Sequence, residues 1–185
     1  MSLHALLANF VRRQNQFQNQ FGHLVAWGSL TLVFVTALVV ILRYGFNTGS
    51  IALQESIMYN HAILFMLGIA YTYTQDQHVR VDVIYNQLSD INKAWVNLLG
   101  TLFFTLPVMA YIIWSGWGYV ATSWQIQEAS AEAGGIEYLY LLKSLIIIMA
   151  VLMIFQGLSI LANSYLTLFS PPSEQSDSDV NGGKL

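Results

Sequence analysis

Between Leu24 and Leu42 the chain reads LVAWGSLTLVFVTALVVIL, a run without a charged residue that ends at Arg43. A helix needs about 20 consecutive apolar residues to cross the ~30 Å hydrocarbon core of a bilayer. Three further stretches approach that requirement, from about 51 to 74, 94 to 119 and 138 to 168. Inside lipid every backbone amide must find its partner within the protein, which leaves helices or closed barrels as spanning structures. Runs of this length are helical runs. The expected fold class is therefore an all-α integral membrane protein with four transmembrane helices. Composition agrees: 55% of the 185 residues are hydrophobic and only 9% charged, against roughly 25% charged in soluble domains.

The first span is expected at 24–43, with residues 1–21 forming a polar, amphipathic N-terminal segment on the cytoplasmic side. The apolar run that follows is too long for a signal-peptide core and no A-x-A site comes after it, so it reads as an uncleaved anchor. Pro107 lies inside the third span, where a missing N–H predicts a kink. The fourth span exceeds what the bilayer needs and must tilt or project into the cytoplasm. Between the second and third spans, Asp82 is expected to cap a short interfacial helix over Val83–Leu88, and Ser89 or Asp90 to cap the third span. Trp114, Trp117, Tyr119, Trp124, Tyr138 and Tyr140 gather where headgroups should lie. The tail 170–185, SPPSEQSDSDVNGGKL, has too little apolar surface to order itself and reads as a disordered cytoplasmic tail.

Loop charges predict the orientation. Arg12 and Arg13 precede the first span, and Arg80 and Lys93 lie between the second and third. The segment 120–137 carries Glu128, Glu132 and Glu137 but no Lys or Arg. Positive charge concentrates on the cytoplasmic side, which places both termini inside. Arg43 and Lys143 fall on the outer side, at helix ends from which they can snorkel.

The chain has no cysteine, which excludes disulfides, thiolate catalysis and cysteine-ligated metal. A net charge of −3 offers no basic patch for nucleic acid. No nucleophile–base pair, Walker motif or metal-spaced cluster is present, so catalysis is not expected. What remains is a polar cluster, Gln54, Glu55, Asn60 and His61, in an otherwise apolar stretch. One reading is a proton relay or ion site, since intramembrane ionisable groups are expensive and usually functional. The other, which is preferred, is an interface: Glu55 pairs with Arg43 across the short outer hairpin, and the amides bond a neighbouring helix. Gln54 and His61 are seven positions apart and share a helix face with Met58 between them, while Glu55 lies about 100° round. Three smaller candidates remain. His78, Arg80 and Asp82 form an interfacial loop motif, with Arg80 as a headgroup-level anchor. Glu128, Glu132 and Glu137 could dock a periplasmic partner or simply be solvated. Lys143 could pair with Glu137 or with an acid on a partner.

These residues carry a resemblance. RYGF after the first span, LQESIMYNHAILFMLGIAYT in the second and DQHVRVDV directly after it resemble the small permease subunit of TRAP transporters, the tripartite ATP-independent periplasmic systems. So do AWVNLLGTLFFTLP in the third span, EAGG before the fourth, and LLKS and FQGL within it. The similarity runs from about 20 to 165. It implies a helper without substrate, metal or cofactor sites of its own, in the bacterial inner membrane. Such a subunit packs against a large permease subunit that holds the substrate and sodium sites. A periplasmic solute-binding protein delivers an organic acid, and a sodium gradient drives uptake. Arg43, Gln54, Glu55, Asn60, His61 and Lys143 are then interface candidates. Gln54 stands where many relatives carry a second acid, so an acid-pair mechanism does not transfer to this chain.

Two other classes compete. A quinone- or haem-binding anchor of a respiratory enzyme would use His61, but a b-type haem needs two axial histidines at one depth, and His23 and His61 are expected towards opposite faces. A small multidrug exporter needs an acid in its first span, and 22–42 has none.

Overall fold

The computed structural model describes residues 3–75, 85 and 87–169, and among them there is no strand. Helix α1 spans Leu3–Ala26 and α2 Gly28–Gly45. They are one long rod interrupted at Trp27. The break has a local cause: the Ser29 hydroxyl donates to the Ala26 carbonyl at 2.7 Å, and Gly28 offers no side chain to stiffen the turn. Gly/Ser pairs are a recurrent origin of helix kinks. α3 spans Ile51–Thr74, with Ser50 at its N-cap accepting from the Leu53 N–H. α4 spans Asp90–Gly100, and Ser89 rather than Asp90 is its cap. A π-helical turn over Thr101–Thr105 leads into α5, Leu106–Gln125. α6, the longest single helix, spans Leu139–Phe169.

The kink expected at Pro107 takes the form of that π turn. Pro107 has no N–H to give, and its ring would crowd the carbonyl four residues back. Widening the preceding turn relieves this, and the Leu106 N–H reaches Thr101 O, five residues away. α1 likewise runs through position 21 without a break. One face of it packs into the bundle, where Gln18 and Gly22 are buried. The loop motif His78, Arg80 and Asp82, the interfacial helix 83–88 and the tail 170–185 lie outside the described residues.

Three rods are long and apolar enough to cross a membrane: Leu3–Gly45, Asp90–Gln125 and Leu139–Phe169. α3 has the length, 24 residues or about 36 Å at 1.5 Å per residue. Its polar residues keep it out of that set. α6 is the axis, touching α1, α3, α4, the π turn and α5, while α2 leans on α3.

The buried set is small-sided and half polar. Ala70, Ala150 and Ala162 share it with Gln18, Thr101, Gln156, Ser159 and Ser164. Leu145 and Met153 are buried with them, but many large apolar side chains, among them Phe34, Phe104 and Trp114, point outward. Lipid tails are as apolar as leucine, so the hydrophobic effect cannot pull such helices together. Close packing of small residues and interhelical hydrogen bonds must do so. Gly22 shows the closeness: a Cβ there would lie 2.2 Å from the Tyr71 ring.

Candidate functional site

The second-stretch cluster divides by helix face, as its spacing requires. Glu55 and Asn60 turn inward, whereas Gln54, Met58, His61 and Phe65 are exposed. Positions 54, 58, 61 and 65 repeat every three or four residues, which makes them one continuous stripe.

Glu55 does not use Arg43. One carboxylate oxygen accepts from the Ser130 hydroxyl, and the other accepts from the Ile136 N–H at 2.6 Å. Arg43 stays exposed. The carboxylate therefore clamps the loop between α5 and α6. The loop is shaped to receive it. Gly134 adopts φ +80, a conformation that disfavours any side chain. Gly135 passes so close that a Cβ would lie 2.4 Å from Ser130 Oγ and 2.8 Å from Glu55 Oε1. The two glycines thus serve different needs, one conformational and one steric. A backbone bond from the Ser130 N–H to Ile136 O at 3.0 Å closes the same loop.

A second tie lies beside the first. Lys143 donates to Glu128, not to Glu137, and its ammonium sits 4.0 Å from the centre of the Tyr119 ring. The loop turns back so that the Leu139 N–H bonds Glu128 O at 3.1 Å, which carries Glu137 away from the lysine. The bond from Lys143 is the main cause holding the Glu128 carboxyl below the ordinary glutamate value. Glu132 and Glu137 remain exposed. Trp124 and Tyr140 meet edge to face at 4.6 Å, and the Trp124 indole donates to Ser144 Oγ at 2.8 Å.

Asn60 bonds across to the helix break, its Nδ2 donating to Gly28 O at 3.1 Å. His61 is on the exposed stripe, ten positions before Tyr71 on the same helix. The His23 ring packs against Tyr71, 5.6 Å between centroids. Ten residues of helix rise about 15 Å, so His23 and His61 are too far apart to bind one iron from both sides.

The opposite end of the bundle holds a cluster that the sequence reading missed. Asn15 Oδ1 accepts from Gln156 Nε2 at 3.2 Å and from Ser159 Oγ at 3.1 Å, tying α1 to α6. The Tyr73 hydroxyl bonds Thr101 Oγ1 at 3.1 Å and Thr105 Oγ1 at 3.2 Å, tying α3 to the π turn. A signal existed: Gln156 and Ser159 are polar residues inside an apolar run and sit one helical turn apart. No charge drew attention to them.

Comparison with known proteins agrees with this architecture. The model of the tripartite ATP-independent periplasmic transporters, DctQ component, matches residues 32–167. A putative TRAP transporter small permease protein of Haemophilus influenzae is 32% identical over 85 residues, covering 46% of this chain and 50% of that protein. The match thus spans about half the length of that relative. No solved structure gives a significant match. A family match along most of the chain, on a membrane-type helical bundle, establishes that this chain belongs to the DctQ component family of TRAP transporters.

Proposed function

We propose that the chain is the non-catalytic small membrane subunit of a TRAP transporter. In this reading it packs against a large permease subunit and supports uptake of an organic acid, driven by a sodium gradient and delivered by a periplasmic binding protein. All four long rods, α3 included, cross the bacterial inner membrane, with both chain termini in the cytoplasm. The observation that carries the reading is how the ionisable groups of the outer end are used. Glu55, Glu128 and Lys143 are bonded within the chain, so they serve structure and are not offered to a moving solute. The exposed stripe Gln54, Met58, His61 and Phe65 supplies a mixed polar and apolar face for a companion helix. Interhelical hydrogen bonds there would contribute roughly 0.6–2 kcal/mol each. The exposed Glu132 and Glu137 lie on the face a periplasmic partner would meet.

Reconstitution tests this. The full chain alone in vesicles is expected to move no organic acid under a sodium gradient, and to co-purify with a multi-span permease when the two are expressed together. Uptake by the chain alone would overturn the reading. Within the complex, His61→Leu with Gln54→Leu is expected to reduce co-purification while the bundle itself stays folded.

A further inference from the structure

Gly68 lies in the interior of α3, where glycine weakens a helix relative to alanine. Its backbone has no positive φ that would call for glycine. Gly22, Gly28 and Gly157 each face another helix, and a Cβ there would lie 2.2, 3.1 and 3.2 Å from a neighbouring side chain. A Cβ at Gly68 would meet no described residue within 4 Å. Gly68 borders a groove of about 310 Å³ between α1 and α3, walled also by Val25, Ala26, Leu64, Phe65 and Thr72. Gly100 and Gly118 are open too, but neither borders this groove. The groove also continues a longer feature. Gln54, Met58, His61, Phe65, Gly68 and Thr72 follow one another at alternating gaps of four and three, the spacing of a heptad seam. From Gln54 to Thr72 the seam runs about 27 Å at 1.5 Å per residue. Its first four members are exposed, and its last two border the groove.

We propose that one transmembrane helix of the large permease subunit lies along this whole seam, crossing α3 at about 20°, and seats an apolar side chain in the groove over Gly68. The proposal rests on the reading of the chain as the small subunit, and adds the face, the crossing angle and the closest contact. The chemistry of the seam selects the occupant. Gln54 and His61 are exposed on a membrane helix, and polar groups turned to hydrocarbon are costly. Acyl chains cannot hydrogen-bond to them, whereas a neighbouring helix can. The groove falls on the same line, so the helix that meets Gln54 and His61 reaches Gly68 next. A second copy of this chain fits less well. In a two-fold pair each patch meets its own copy, so Gly68 would face Gly68 and both grooves would stay unfilled.

The test is co-expression of the full chain with its large permease, read as the permease retained by a tag on the small chain. Gly68→Leu is expected to cut retention at least ten-fold. The chain alone should keep its Tm in micelles, because the new side chain enters open space. Unchanged retention would overturn the proposal. Gly68→Ala is expected to raise the Tm of the chain alone, since alanine favours the helix, and yet to weaken retention. A lower Tm would show that the glycine serves the chain itself, and would also overturn the proposal. Met58→Trp, on the seam, should reduce retention. Ile63→Trp should not, although Ile63 is 39% exposed, because it lies on the far side of α3 from the seam. Equal losses at the two positions would mean a partner wrapped around α3 and count against a single helix. A wild-type chain that dimerises by itself, and that Gly68→Leu makes monomeric, would identify a second copy instead. If Gly68→Leu does not fold, Gly68→Ala, Met58→Trp and Ile63→Trp decide. Wild-type chain that retains no permease would sink the small-subunit reading together with this one. Retention by wild type and Gly68→Leu alike would sink only the placement of the helix.

Discussion

The two ends of the bundle are held by different chemistry. At the end that carries the loop between α5 and α6, charges do the holding: Glu55 grips Ser130 and Ile136, and Lys143 grips Glu128. At the other end the groups are neutral: Asn15 with Gln156 and Ser159, and Tyr73 with Thr101 and Thr105. The difference follows from what each end must fix. The charged end restrains a loop whose backbone needs strong acceptors, and ionised carboxylates make shorter, stronger hydrogen bonds than neutral groups. The other end joins helices deep in the bundle, where an unpaired charge would be far more costly than an amide. A membrane protein can thus tolerate charge where a loop meets water and use amides where helices meet each other.

The comparison can be broken at several points. The largest effect is expected from Glu55→Ala. With both acceptor oxygens gone, the 126–138 loop should lose its hold on α3. A spin label at Glu132→Cys, in a chain without native cysteine, should become markedly more mobile. Gly135→Val should reproduce this, because its side chain displaces Ser130 and Glu55. Gln156→Leu should leave the label unchanged, and a response there would mean the ends are coupled.

Gly22→Ala comes next. Its new methyl meets the Tyr71 ring, and overpacking of this kind costs about 1–3 kcal/mol, read as lost resistance to denaturant in a micelle. Asn15→Ala should cost less, about 0.6–2 kcal/mol, by stripping the acceptor from Gln156 and Ser159. A cost near zero would show that the α1–α6 joint is made by packing alone.

The smallest effect is that of pH. The Glu128 carboxyl is held below the ordinary glutamate value of 4.5, chiefly by its bond from Lys143. A carboxyl depressed on folding contributes stability that is present above its unfolded value and lost as pH falls through the lower folded one. The Glu132 label should therefore stay ordered at neutral pH and loosen only below about pH 4.5. The neutral joint, probed by the α1–α6 contact, should not respond over that range.

Several features were legible without coordinates. Helices lie over every apolar run, because a hydrocarbon solvent leaves a chain few alternatives, but the run 24–42 straddles the break at Trp27 between α1 and α2. Ser89 was readable as one of two candidate caps. The spacing of Gln54, Met58 and His61 put them on one face apart from Glu55. The failures share a cause. Arg43 and Glu137 were chosen as partners for Glu55 and Lys143 on charge and sequence proximity, yet Glu55 met Ser130 and Ile136, 75 and 81 positions away. The neutral joint passed unnoticed because asparagine, glutamine and serine carry no charge to mark them.

Sequence by itself determined that the chain is helical and belongs in a membrane, since every long segment must satisfy its backbone alone and turn apolar groups to lipid. Only the tertiary structure decided which polar groups meet. A hydrogen bond is short and directional, so its partner depends on how helices distant along the chain are placed against one another. No local pattern encodes that placement.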